Sequence, residues 1–228
     1  MATSGTTAFN MDFAEIAEEA WERAGREMRS GYDLRTARRS MNLLTLEWQN
    51  RGINLWTIDS DTVSLVTGTS QYTLPADTID LLEQVIRTDS GDTTKQSDLN
   101  MSRISVSDYS SIPNKLTRGR PIQVWVERLI TAPRINVWPV PNSNDYTFVY
   151  WRMRRIEDAG NGVETADMNY RFLPSLVAGL AYGIAMKEPE LAPRLQMLKA
   201  EYETQFQLAA EEDRDKTSAR FVPRAARI

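Results

Sequence analysis

The chain predicts an α+β fold: a four-helix bundle formed by N- and C-terminal helices, with an inserted antiparallel β-subdomain and an extended C-terminal arm. Three observations predict it. Apolar residues recur at three- and four-residue spacing over residues 12–52 and again over 169–216. Between them, residues 53–168 turn to β-branched and aromatic side chains punctuated by Gly, Pro, Ser and Asp. Beyond residue 216 helical periodicity stops.

Residues 1–11 are small and polar and read as a flexible N-terminal arm. From Asp12, an expected N-cap, Phe13, Ile16, Ala17, Ala20, Trp21, Ala24 and Met28 form one face, and Glu15, Glu18, Glu19, Glu22 and Arg23 a solvated one. Ser30-Gly31-Tyr32 should break this helix and Asp33 cap the next. Leu34, Ala37, Met41, Leu44 and Trp48 then make a seam toward another helix, stopped at Gly52. In the β-rich region, Val63–Val66 and Gln71–Leu74 flank Thr67-Gly68-Thr69-Ser70, which predicts a hairpin. Leu82–Arg87 is a further strand, residues 88–100 a polar loop, and 106–111 a short helix. Ile122–Glu127, Arg134–Trp138 and Tyr146–Arg154 predict an antiparallel meander. The last of these is apolar on both faces, which implies burial on both sides, in part by a neighbouring subunit. Phe172 to Ile184 is core-like, and Gly179 and Gly183 mark a close approach of another backbone. A final helix is expected over residues 190–216, with Pro193 in its first turn.

Composition removes whole classes of chemistry. The chain of 228 residues contains no cysteine and no histidine. Disulfides, thiolate nucleophiles, cysteine-ligated metals and Ser-His-Asp catalysis are therefore excluded. No P-loop or GxGxxG run is present, and no cofactor is expected. Net charge is −4, which argues against a coat on nucleic acid but suits a wall past which a polyanion slides. The apolar run 173–186 is shorter than the ~20 residues a membrane span needs, and the N-terminus lacks a secretory pattern; a soluble protein with no membrane partner is expected.

The most distinctive run is Ile112-Pro113-Asn114-Lys115-Leu116-Thr117-Arg118-Gly119-Arg120-Pro121, followed by Trp138-Pro139-Val140-Pro141-Asn142. Pro113 and Pro121 push their predecessors toward extended backbone, Gly119 can take a positive φ, and the prolines after Trp138 end its strand or confine it to an edge. With Gln71-Tyr72-Thr73-Leu74-Pro75 and the helix around Gly179-Leu180-Ala181-Tyr182, these pieces resemble, in order and spacing, the head-to-tail adaptor (connector, tail accessory) proteins of tailed bacteriophages. The resemblance implies a structural virion protein at the head–tail junction, made in the host cytoplasm. It implies a ring, usually of twelve copies, beneath the portal protein. That ring would extend the DNA channel and carry a downstream tail or nozzle protein, while genomic DNA passes without sequence-specific binding.

The segment 217–228 has three arginines, no acid and apolar anchors. Read alone, it is a disordered terminus or an arm that orders on a partner. With the resemblance added, Arg220, Phe221, Val222, Pro223, Arg224, Arg227 and Ile228 are expected to dock on the portal. Arg152, Arg154 and Arg155 could face DNA or form a surface cluster balanced by Glu157 and Asp158, and the second reading is preferred. Arg35, Arg38 and Arg39 are expected on the exposed side of the second helix. Among the tryptophans Trp48, Trp56, Trp125, Trp138 and Trp151, Trp138 is placed at a surface. Two other functions stay open: a DNA-packaging or nucleic-acid-binding component, and a peptidoglycan-cleaving tail protein using acids such as Glu47, Glu127, Glu157 or Asp158.

Overall fold

The computed structural model describes residues 5, 11–53, 55–160 and 163–212. In chain order these form α1 (Phe13–Ala24), α2 (Gly31–Asn50), β1 (Ile58–Ser64), β2 (Gln71–Thr73), β3 (Thr78–Thr88), β4 (Ser97–Asn100), β5 (Ser102–Arg103) and α3 (Val106–Ser111). There follow β6 (Arg118–Gly119), β7 (Gln123–Glu127), β8 (Arg134–Trp138), β9 (Val140–Pro141), β10 (Tyr146–Arg154), α4 (Leu173–Ala185) and α5 (Leu195–Glu212). The chain divides into a helical unit, residues 1–56 with 156–228, and a β unit, residues 57–155.

The helical unit is organised by α4. Its face toward α1, α2 and α5 accounts for most of its length, since Ser175 to Ala181, Ile184 and Ala185 are all buried. A helix that is apolar nearly all round is stable only when neighbours enclose it. Here α1 contributes Phe13, Ile16, Ala17, Ala20 and Trp21, and α2 contributes Ala37, Met41, Leu44 and Trp48. Each of these two helices starts with a reciprocal capping box, Asp12 with Glu15 and Ser30 with Asp33. Gly25, at φ +105°, closes α1 through N–H bonds to Trp21 and Glu22. The break thus comes at Gly25, earlier than expected, and Asp33 sits in the first turn of α2 with Ser30 as its cap.

The last helix also differs from expectation. Residues Pro189–Arg194 form a 3-10 stretch and α5 begins at Leu195. Pro193 lacks an N–H and clashes with the preceding turn, so an α-helix starts cleanly only behind it. On α5, Tyr202 accepts a hydrogen bond from Trp48 Nε1 (3.0 Å) and donates toward Glu47 Oε1 (3.4 Å). Burial pushes the Tyr202 hydroxyl up to about 12, so it stays protonated and able to hold both partners.

The β unit contains two four-stranded sheets, ordered β1-β10-β3-β4 and β2-β8-β7-β5, and a two-stranded parallel pair β6-β9. Both large sheets feed one apolar core: Leu81, Ile86, Phe148 and Tyr150 come from the first, Val124, Ile135 and Val137 from the second. Asp80 on β3 is clamped by Arg103 of β5 (2.7 Å) and by Arg128 (2.5 Å), which ties the sheets at one end. Burial works against the Asp80 carboxylate, but the Arg103 guanidinium and the Leu81 amide outweigh it and hold its pKa below the ordinary value.

Four expectations are corrected. The five helices and ten strands of the described residues make an α+β fold, but not a four-helix bundle with an inserted antiparallel subdomain. Helices α1, α2 and α5 enclose α4 instead of sharing one axial seam, and the β unit is a two-sheet sandwich that includes parallel pairs. The hairpin expected from 63–74 is absent. β1 pairs with β10 and β2 with β8, so the intervening turn carries the chain from one sheet to the other. The meander fails at its third strand, because β10 joins β1 and β3 and leaves β8 to β7 and β2. Residues 97–100, expected as loop, form the edge strand β4. The extended arm 217–228, the end of the expected last helix beyond residue 212, and most of the expected N-terminal arm lie outside the described residues.

The two helical glycines can be told apart by what a methyl group would meet. A Cβ on Gly179 would lie 2.8 Å from both Leu44 Cδ2 and Tyr202 Cε2, whereas one on Gly183 would sit 3.8 Å from Ser40 Cβ. It is therefore side chains of α2 and α5, not a backbone, that approach α4 at Gly179. Gly179→Ala should destabilise by about 1–3 kcal/mol through overpacking, while Gly183→Ala should stabilise by roughly 0.5–1 kcal/mol through helix propensity. Urea denaturation of the two variants checks both signs.

Candidate functional site

The two distinctive runs meet in space. β6 pairs in parallel with β9, setting Arg118 beside Val140 and Gly119 beside Pro141. Val140 N–H donates to the Thr117 carbonyl (2.9 Å), and Trp138 Nε1 donates to the Asn114 carbonyl (3.1 Å). Gly119 does not adopt a positive φ. It packs on the Pro139 ring, which a Cβ there would meet at 3.4 and 3.6 Å, about van der Waals contact. Pro121 and Pro141 are buried, and the Pro141 carbonyl accepts the Gly68 N–H (2.9 Å). The strand end thus clasps the loop through backbone and indole donors.

Within the loop, local bonds fix the turn that carries its tip. Asn114 Oδ1 accepts the Leu116 N–H (3.0 Å), and the Asn114 carbonyl also accepts the Thr117 hydroxyl (3.1 Å). The Lys115 ammonium donates to the carbonyls of Ser110 and Ile112, 3.1 Å each, at the end of α3. It also lies 5.6 Å from the Tyr109 ring, which stacks on Trp125 at 5.0 Å. What is left outward is Leu116, 80% exposed, with Pro113, Arg118 and Arg120 around it. The arrangement holds out a preformed apolar and basic tip.

The residues match a known family over almost the whole chain. The profile of the SU10 adaptor protein family covers residues 11–227. The chain belongs to that family. It is a phage head-to-tail adaptor, a structural protein of the virion. No curated protein matches it.

The remaining sequence-predicted residues of the adaptor separate into clear groups. Pro113, Asn114, Lys115, Gly119, Pro121, Trp138, Pro139 and Pro141 are brought together in the clasp. Arg220, Phe221, Val222, Pro223, Arg224, Arg227 and Ile228 lie outside the described residues. Arg152 is buried in β10, donating to Asp77 Oδ1 (2.7 Å) and Thr78 Oγ1 (3.0 Å), and Arg154 pairs with Asp59 (3.1 Å). Arg152 and Arg154 balance Asp59 and Asp77 within the β unit, and Arg152, buried in its strand, is closed off from any DNA. Trp138 is only half-exposed; the most exposed tryptophan for which burial was predicted is Trp151, on the outward face of β10.

Two of the four acids considered for hydrolysis are held in ion pairs, Glu47 with Arg51 (2.5 Å) and Glu127 with Arg134 (2.6 Å). An open cleft of ≈ 680 Å³ in the helical unit is lined by Met11, Trp56, Tyr170 and Leu173, with Glu157 and Asp167 at its polar side. Glu157 N–H donates to Asp167 Oδ2 (3.0 Å). Among the described residues no His, Cys, Asp or Glu cluster is arranged to hold a metal ion, and no helix is long and apolar enough to cross a membrane.

If the clasp holds the loop, Trp138→Phe keeps the ring but removes the donor to Asn114. It should weaken the attachment by roughly 1 kcal/mol, about a fivefold faster exchange of the Val140 amide. Amide hydrogen exchange reads this against the β10 amides, which should not change.

Proposed function

We propose that this chain is the ring-forming subunit of the head–tail joint. Twelve copies close a ring beneath the portal protein, extend the DNA channel and offer a platform to the downstream tail or nozzle protein. The observation that carries this reading is the family match, which runs from α1 through the β unit to residue 227. The net charge of −4 supports it as well, because a wall that gripped phosphates would slow the passage of genomic DNA. DNA is accordingly a passenger, bound without sequence specificity.

In this reading the work is assembly, not catalysis. A single subunit can hold the portal weakly, because a closed ring repeats the contact and gains strength by avidity. Residues 217–228, with three arginines and no acid, dock on the portal: the arginines meet carboxylates and Phe221 fills a pocket. The clasped tip of the β unit, together with segment 88–100, meets the next tail component. The subunit is made in the host cytoplasm and ends in the virion.

A chain ending at residue 216 should fold with an unchanged circular dichroism spectrum and fail to co-sediment with portal protein. Undiminished co-sedimentation by the folded truncation would contradict the docking role of the tail.

A further inference from the structure

We infer that the exposed stripe of α2 is one half of the junction between subunits, and that the acidic flank of α1 and α5 on the next copy of the chain is the other half. This rests on the ring reading and names its faces. Tyr32, Arg35, Arg39, Leu43 and Leu46 recur at steps of three, four, four and three, so they form a single line along α2. The opposite face of the helix is buried against α4. Tyr32 is 64% exposed, Leu43 66% and Leu46 49%. Three large apolar side chains in line on a solvent face are unusual unless something covers them.

The two arginines say what covers them. Among the described residues neither has a carboxylate partner: Arg35 Nε reaches only the Gly31 carbonyl of its own helix (3.3 Å), and Arg39 only Thr36 Oγ1 (3.4 Å). Arg38, one step aside, is turned to the Gly160 carbonyl (3.1 Å) and is not part of the line. The same unit carries the complement. Glu18 and Glu22 point outward from α1, and no described side chain bonds to either carboxylate. Beside them α5 is tied to α1 by Glu201 and Arg23 (3.3 Å). Met197 and Leu208 stand on that same side of α5, four residues before Glu201 and seven after it, and are 53% and 57% exposed.

One face is thus basic and apolar, the other acidic and apolar, and within a subunit the charges do not meet. Opposite signs flanking apolar contacts are what two protein surfaces need to dock in one register. Because the two faces differ, each copy uses one toward its predecessor and the other toward its successor. Such a contact propagates head to tail and ends only by closing a ring.

The test uses two full-length variants. R35E/R39E makes both faces acidic; E18R/E22R makes both basic. These side chains are exposed and without ion-pair partners among the described residues, so both variants should fold, as circular dichroism will report. Sedimentation velocity, with and without the portal protein, measures assembly. Each variant alone should need at least about tenfold more protein than the parent chain to assemble. An equimolar mixture should recover parental assembly, because alternating copies restore an acid–base contact at every junction. Folded variants that each assemble like the parent would overturn this assignment of faces and leave the ring intact. So would a mixture that fails to recover. A parent chain that never assembles, even on portal protein, would overturn the ring itself.

Discussion

Everything in the helical unit depends on enclosing α4. Its buried run, from Ser175 to Ala181 and on to Ala185, cannot face water, and no single neighbour can cover it. The covers come from both ends of the chain. α1 and α2 precede the β unit, and α5 follows it. The N-terminal helices therefore have amphipathic faces with nothing to bury them until the chain beyond residue 172 arrives. Trp48 shows the dependence most plainly: it is fully buried, packs on Phe172 and Phe206, and gives its indole N–H to Tyr202. Three of its contacts lie more than a hundred residues away in sequence, which is what joins the two ends of the chain into one unit.

The same constraint explains which parts of the fold were legible in the sequence. Helices with one apolar stripe and a capping box, α1 and α2, announce themselves, because Asp12 with Glu15 and Ser30 with Asp33 are local signals. So do β8 and β10, whose residues alternate or are apolar throughout. α4 looks like one more core helix, and only its position in the centre shows why a shared-axis bundle does not form. β4 is four exposed residues, three of them polar, around a lone Leu99; main-chain pairing with β3 creates it, and no side-chain pattern records that. The partition of β1 and β2 between two sheets is likewise a long-range choice. Thr67 to Ser70 looks like a hairpin turn, but Leu65 N–H bonds to the Tyr146 carbonyl and Gly68 N–H to Pro141, drawing the segment across.

The candidate site shows the same division. Asn114, Lys115, Gly119 and Trp138 to Pro141 stand out in the sequence by their order along the chain. That they form one clasp was not legible, since parallel pairing of two-residue strands leaves no periodicity to read. The charged faces of the helical unit were legible as solvated faces only. Their meaning depends on which charges find partners at home: Arg23, Arg26 and Arg51 do, with Glu201, Glu188 and Glu203, while Arg35 and Arg39 have none among the described residues.

The most direct measurement is the mass of the adaptor mixed with the portal protein of its own phage, beside the mass of each alone. The account predicts a discrete complex near the portal assembly plus twelve adaptor copies, even where the free adaptor is a monomer. Two separate species across a range of salt concentrations, with no complex, would contradict it.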